Sequence, residues 1–349
     1  MNVAVTAAVA LAAVVATIVV AAGTVNRAGP VTGPAVGSPT AQARKCALTR
    51  AGADPCGLWW GAALDVTDSD LPAAVAAIQA GTGRRVDLVH TYHRWYETFP
   101  TASELRLARS GHGLLLNWEP VDRRGRPMSW AAIAAGRHDA QITATARRLA
   151  AAGTLVFLTF SHEPEAELHA HGTPADFAAA FRHVHDVIAA AGARNVRWVW
   201  DVMGLPDPVW HARYLQMWPG ARYVDWVAWD PYNWGTCRNH SGWRSFTQTV
   251  TPFYDWLQTA GFGGKPFMLA EYGTVERPGH PSGKADWLTT IPTQLSRLPN
   301  LRALVYFDVP HPPANCNWQI ATSHAAEHAF GVTASSGPFR ATRSARLAP

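Results

Sequence analysis

The run Leu155-Val156-Phe157-Leu158-Thr159-Phe160, the turn Ser161-His162-Glu163-Pro164, the helix-patterned stretch 174–191 and the run Asn195-Val196-Arg197-Trp198-Val199-Trp200 decide the fold of this 349-residue chain. Both apolar runs are five or six residues of Val, Leu, Phe, Thr and Trp, too short for a helix and rich in strand formers. Between them, Phe177, Phe181, Val184 and Ile188 recur at helical spacing on one face, and Gly192 follows as a stop. Continuous apolar strands joined by an amphipathic helix imply parallel strands covered by helices on the outside.

Working outward, the same unit recurs. Strand-like runs lie at 58–64, 86–90, 113–117, 155–160, 196–200, 226–229, 266–270 and 303–307. A helix over 71–80 follows Asp70 as its expected N-cap, and another over 140–152 carries Ile142, Ala146 and Leu149 on one face. Eight units in one domain of residues 45–333 predict an α/β fold, the (β/α)8 TIM barrel, as a single catalytic domain. An open doubly wound sheet is the alternative. It lacks support because Trp60-Gly61-Ala62-Ala63 stands where a Gly-rich phosphate loop would follow the first strand.

A barrel puts its chemistry at the C-terminal ends of the strands. The residues there are Asp65; His90, Tyr92 and Trp95; Trp118 and Glu119; His162, Glu163 and Glu165; Asp201; Asp230, Tyr232 and Trp234; Glu271 and Tyr272; Asp308 and His311. Carboxylates, histidines and aromatic rings in one mouth suit a carbohydrate, whose hydroxyls need polar partners and whose C–H faces stack on rings. His90, Tyr92, Asp230, Trp118, Trp229, Trp234 and Trp318 are the candidate substrate-binding residues. Trp59, Trp198, Trp200 and Trp226 lie within strands and are expected in the core.

Glu163 ends the fourth strand and Glu271 the seventh, each directly after an apolar run that gives a carboxylate no packing reason to be there. Glycosidic cleavage needs this pair of groups: an acid to protonate the departing oxygen and a carboxylate to attack or stabilise the anomeric carbon.

Around these glutamates the chain resembles glycoside hydrolase family 26, a β-mannanase family in the retaining (β/α)8 barrel clan, along most of residues 58–331. The resemblance is carried by Gly136-Arg137-His138-Asp139, His162-Glu163, Asn195 to Trp200, Trp218-Pro219-Gly220 with Tyr223-Val224-Asp225-Trp226, Asp230-Pro231-Tyr232-Asn233, Lys265-Pro266 with Ala270-Glu271-Tyr272-Gly273, Val305-Tyr306-Phe307-Asp308 and Asn317-Trp318. It implies Glu163 as acid/base and Glu271 as nucleophile of a double displacement. It also implies that Tyr232 hydrogen-bonds Glu271 and that His162 steadies the acid/base or a sugar hydroxyl. Glu163 would need its proton held by apolar walls and by the charge of Glu271. The chain departs from the family where mannanases place an Arg before His-Glu and an Asn-Gly with an aromatic after it; here Thr159-Phe160-Ser161 and Pro164-Glu165-Ala166 stand instead. The implied activity is that of a retaining, endo-β-1,4-mannanase-like hydrolase of β-linked polysaccharide. Mixed-linkage β-glucan, β-xylan or exopolysaccharide as substrate, and a non-catalytic carbohydrate-binding barrel, are the other readings.

Residues 2–23 carry no charged side chain and are nearly all Ala and Val, which reads as a signal peptide or, over 3–22, an N-terminal membrane anchor; either exports the rest. Residues 24–44, rich in Gly, Pro, Thr and Ser, read as a linker, and 334–349 as a disordered basic tail. In an exported protein, Cys46, Cys56, Cys237 and Cys316 are expected as two disulfides, 46–56 and 237–316, the latter joining loops at one rim. The formal net charge is +5, but no run of five or six basic residues occurs, so no nucleic-acid partner is expected. His183 and His185 cannot share a helix face and no His-Glu-x-x-His occurs, so neither metal nor cofactor is expected. The expected partner is a poly- or oligosaccharide, and a monomer is expected.

Overall fold

The computed structural model describes residues 47–238, 241–311 and 316–339. The expected signal or anchor, the linker, Cys46 and residues 340–349 lie outside them. Eight parallel strands close a barrel: β1 (Trp59–Ala63), β2 (Leu88–Arg94), β3 (Gly113–Glu119), β4 (Val156–Phe160), β5 (Val196–Val202), β6 (Trp226–Trp229), β7 (Phe267–Thr274) and β8 (Leu301–Phe307). Each pairs with the next, and β8 returns to β1 through Trp59↔Ala303 to Ala63↔Phe307. Closure removes every sheet edge.

Between the strands run α1 (Leu71–Thr82), α2 (Ala102–Arg109), α3 (Trp130–Ala134), α4 (Asp139–Ala151), α5 (Pro174–Ala190), α6 (Pro208–Met217), α7 (Phe246–Thr259) and α8 (Gly283–Gln294), with α9 (His324–Ala334) after β8. The start of α5 shows why it begins there. Thr173 accepts from the backbone of Asp176 while the Asp176 carboxylate accepts from the backbone of Thr173, a reciprocal cap, and Pro174 has no N–H that would need an acceptor. Asp70 precedes α1 as expected but makes no side-chain cap.

Alternation along the strands divides the core into two. Trp59, Leu115, Phe157, Val199, Trp226, Met268 and Val305 fill the barrel interior. Trp60, Leu114, Leu116, Leu158, Trp200 and Tyr272 face the helices. As expected, Trp59, Trp198, Trp200 and Trp226 are all buried. The barrel unit extends further than the sequence reading placed it. Phe339, assigned there to the tail, is fully buried against Trp60 with ring centroids 4.7 Å apart, and Pro338 accepts from the Leu58 backbone.

One irregularity positions the site. Between Leu269↔Leu304 and Tyr272↔Tyr306, β7 spends three residues where β8 spends two. This bulge breaks the alternation. Met268 and Ala270 face inward, and Glu271 also turns to the mouth while Tyr272 goes out to stack on Trp287 at 6.2 Å.

Candidate active site

Above the apolar plug, the inward positions become polar at matching heights: His90 and Tyr92 on β2, Asn117 and Glu119 on β3, Thr159 on β4, Asp201 on β5, Asp230 after β6 and Glu271 on β7. The Tyr92 hydroxyl donates to Glu271 Oε1 at 2.6 Å, and the Tyr232 hydroxyl donates to Oε2. Asp230 Oδ1 accepts from the Glu271 backbone N–H at 2.8 Å. Two O–H donors on one carboxyl group, one on each oxygen, are the partners an anionic nucleophile accepts. Burial, then the charge of Glu271, pushes both phenols well above their ordinary range, so both remain donors.

Glu163 is held differently. Ser161 and Glu163 both take left-handed backbone conformations, with φ of 52° and 45°. Such geometry costs a non-glycine residue about 1–2 kcal/mol. It turns the chain sharply at the end of β4, and the one-turn 3-10 helix Pro164–Ala166 follows directly. No hydrogen bond reaches the Glu163 carboxyl from any described residue. Burial, followed by the charges of Glu271 and Glu119, pushes it up to about 7 against the opposing charges of His162 and Arg238.

His162 lies between the two. Its Nδ1 is 2.5 Å from Glu119 Oε1, and Asn117 Nδ2 donates to the same Glu119 oxygen at 2.6 Å. Its Nε2 lies 3.9 Å from Glu271 Oε1. Burial opposes its charge, but Glu119, then Glu271 and Glu163, overrides that and raises its pKa well above the ordinary range. His162 is thus an imidazolium that partly neutralises three carboxylates. The pKa values of Asp201 and Asp230 are also pushed well above the ordinary carboxylate range, by burial first. Glu165, whose Oε1 accepts from the Met203 backbone, is raised by burial to about 8.

The structure brings together Glu163, Glu271, His162, Tyr232, Tyr92 and Asp230 as expected, and it corrects other assignments. Trp118 and Trp229 are not sugar platforms: both are fully buried behind the barrel wall. Trp118 stacks on Trp95 at 4.2 Å and donates to its carbonyl, while Trp229 packs on Phe253 and Phe267. Strand alternation is the reason, since Asn117 and Glu119 face in and Trp118 between them faces out. Gly204 passes so close that a Cβ there would sit 2.6 Å from the Trp229 ring, with a left-handed φ of 72°. His90 contacts no cleft; it lies buried under Tyr92 with Nδ1 on the Ala270 carbonyl, and burial lowers its pKa to about 3. Tyr92, expected on substrate, is a partner of Glu271. Tyr272, in the expected mouth set, faces the helices because of the bulge.

Trp234 and Trp318 do line the cleft, a cavity of about 230 Å³ that Glu163 and Glu271 share with Tyr232 and Arg238. Trp318 packs on Tyr232 at 4.4 Å and meets Trp234 edge-on at 4.7 Å. Behind them the expected Cys237–Cys316 disulfide ties the loop after β6 to the segment after β8. Closing a loop of 79 residues contributes about 4.5 kcal/mol in the chain-entropy picture. Cys56 is also disulfide-bonded; its expected partner Cys46 lies outside the described residues. Sequence reasoning gave no role to Arg238, whose guanidinium lies 3.6 Å over the Trp234 ring. It also missed the Asn117–Glu119–His162 chain, which the period-two spacing of 115, 117 and 119 signals.

No family profile matches the chain. Over 271 residues it is 31% identical to Endoglucanase H of Acetivibrio thermocellus, a match that covers 74% of this chain and 28% of that protein. The chain thus spans about a quarter of that relative. Among solved structures, the catalytic domain of the Bacillus sp. JAMB-750 GH26 endo-β-1,4-mannanase superposes with a TM-score of 0.58 at 14% identity, over 83% of this chain and 90% of that one. The GH26 β-mannanase of Bacteroides ovatus gives 0.57 at 15% identity, over 84% and 93%. A Cellulomonas fimi endo-β-1,4-mannanase gives 0.58 at 16%, over 86% and 75%. The chain shares its (β/α)8 barrel fold with these solved structures.

Proposed function

We propose that the protein is an exported retaining hydrolase of a β-linked polysaccharide, with Glu271 as nucleophile and Glu163 as acid/base. The observation that carries this reading is the contrast between the two carboxyls. Glu271 is held by Tyr92 and Tyr232, while Glu163 lies in the same cleft with its pKa raised to about 7 and so keeps a proton to give. In the first step Glu271 attacks the anomeric carbon, the glycosidic C–O bond breaks, and the Glu163 proton passes to the departing oxygen. In the second, Glu163, now a carboxylate, takes a proton from water, whose oxygen displaces Glu271 and restores both groups. His162 Nε2, 3.9 Å from Glu271 Oε1, places positive charge beside the carboxylate that attacks in the first step and is released in the second.

The mannanase-like barrels and the Endoglucanase H similarity support a β-glycan, with mannan and mixed-linkage β-glucan first to be tried. Export is supported by the uncharged Ala/Val stretch 2–23 and by the Cys237–Cys316 disulfide, which favours an oxidising compartment. The test is hydrolysis of mannan, mixed-linkage β-glucan and β-xylan by the wild type, Glu163→Ala and Glu271→Ala. NMR of the first-formed reducing end reads its anomeric configuration. Retention, abolished by either substitution, is expected. Inversion would sink the nucleophile role of Glu271, and binding of glycans without cleavage would leave a carbohydrate-binding barrel.

A further inference from the structure

Beside the catalytic cleft, a second cavity of about 290 Å³ opens between residues 203–206 and α7, and it shares Asp230, Tyr232, Trp234 and Arg238 with the cleft. Two exposed guanidiniums line it, Arg238 and Arg244. The Arg238 group lies over the face of Trp234 at 3.6 Å, and the indole is itself braced by Trp318 and the neighbouring disulfide. Stacking occupies the faces of a guanidinium and leaves its in-plane N–H donors free. None of the guanidinium donors of Arg238 or Arg244 meets an acceptor among the described residues. The backbone of Arg244 is anchored by Asn233 Oδ1 at 3.0 Å. Asp230 is the sole acidic residue lining this cavity among those described, and burial pushes the pKa of its carboxyl well above the ordinary range.

The other flank has the opposite sign. Past Tyr92, a cavity of about 430 Å³ over β1 and β2 is lined by the exposed carboxylates of Asp65, Asp68 and Glu97. The His93 in its wall is already bound to Glu104 at 2.8 Å. A neutral polysaccharide would find hydroxyl partners on both flanks but would leave the in-plane donors of the Arg238 guanidinium, fixed over Trp234, and the neighbouring Arg244 without an anion on the side away from Glu163.

We propose that the substrate is an acidic β-glycan, in which a sugar on the β6–α7 side of the scissile bond carries an anionic group held by the edges of Arg238 and Arg244. The group is a uronate carboxylate or a sulfate ester, both of which accept two parallel N–H bonds. The sugars over β1 and β2 are uncharged, because the carboxylates there repel an anion. This inference rests on the hydrolase reading above.

The experiment uses the full chain and three versions of one soluble glucomannan: unmodified, with part of its primary hydroxyls oxidised to uronates, and with sulfate esters. kcat/KM is measured for the wild type, Arg238→Ala and Arg244→Ala at low and high salt, with affinity electrophoresis of each protein in each polymer. Wild type should prefer one anionic polymer over the neutral one by about tenfold or more, the scale of a charge-assisted contact. High salt should erode the preference, and Arg238→Ala should bring the ratio close to one. Preference for the oxidised polymer identifies a carboxylate, and for the sulfated one a sulfate ester. Because the readout is a ratio within one variant, partial misfolding does not mimic it. The proposal is overturned if the neutral polymer is cleaved as well as both anionic ones, or if Arg238→Ala lowers all three equally. If no version is cleaved yet Arg238-dependent retardation by an anionic polymer persists, the anion site stands and the hydrolase reading is decided by the three-glycan panel above; if anionic and neutral polymers retard the wild type alike and none is cleaved, the proposal falls.

Discussion

Glu163 and Glu271 face one cleft, yet their surroundings share almost nothing. Glu271 sits on an eight-residue strand, placed by a bulge and gripped by two phenols, with Asp230 on its backbone. Glu163 follows a five-residue strand, on a left-handed backbone, with no hydrogen bond to its carboxyl among the described residues. The difference follows from what each must do. A nucleophile attacks from one direction and gains from being held, whereas an acid/base must give a proton and take one back, so bonds that stabilise one protonation state would hinder the other.

The largest test of this contrast uses two kinds of substrate. Glu271→Ala should lower kcat by about four to six orders of magnitude on every substrate, as expected for loss of a covalent nucleophile. Glu163→Gln should do the same on polysaccharide, but on an aryl glycoside with an acidic phenol the first step needs no proton. A pre-steady-state burst of phenol is expected there, and its absence would show that Glu163 does more than transfer protons.

The next effect is on stability. For Glu163, raised to about 7 from the ordinary 4.5, the folded state holds more protons than the unfolded between those values. Stability is therefore present below pH 4.5 and lost as pH rises to about 7. Glu163→Gln removes this loss, so at pH 8 the variant should be more stable than wild type by about 2 kcal/mol, allowing for partial solvent access. Thermal melts at pH 4 and 8 check it: the gain should shrink at pH 4. The same raised pKa predicts that kcat/KM on polysaccharide falls above pH 7 as the acid ionises, and that this limb is missing with the aryl glycoside.

Smaller effects belong to the Glu271 side. Tyr92→Phe and Tyr232→Phe each remove one hydrogen bond to a charged group, about 1.5–3 kcal/mol, so kcat/KM should fall roughly ten- to hundredfold with little change in melting temperature. Equal losses for both would mark the two phenols as equivalent. A much larger loss at Tyr232 would point instead to the Trp318 packing that it shares.

The barrel was legible because its cause is local. Continuous apolar strands and amphipathic helices alternate along the chain, and each can be read within ten or twenty residues. Glu163 and Glu271 were legible for the same reason, as charges following apolar runs. Trp118 and Trp229 were misread as sugar platforms although strand alternation was available to correct them: Leu115, Asn117 and Glu119 share one face, and Trp226, Ala228 and Asp230 another.

Other features had no local cause. Alternation alone would send Glu271 outward with Leu269, and the extra residue that turns it inward exists only in the pairing of β7 with β8. The Tyr92 hydroxyl meets Glu271 across 179 residues, and His162 meets Glu119 across 43. Arg238 gains its role only from the ring beneath it. By itself the sequence determined the barrel, its polar rim and its two principal carboxylates, because periodicity and strand ends are properties of neighbouring residues. Which carboxyl is gripped and which is left bare depended on tertiary structure, because burial, charge pairing and register join residues that the chain keeps far apart.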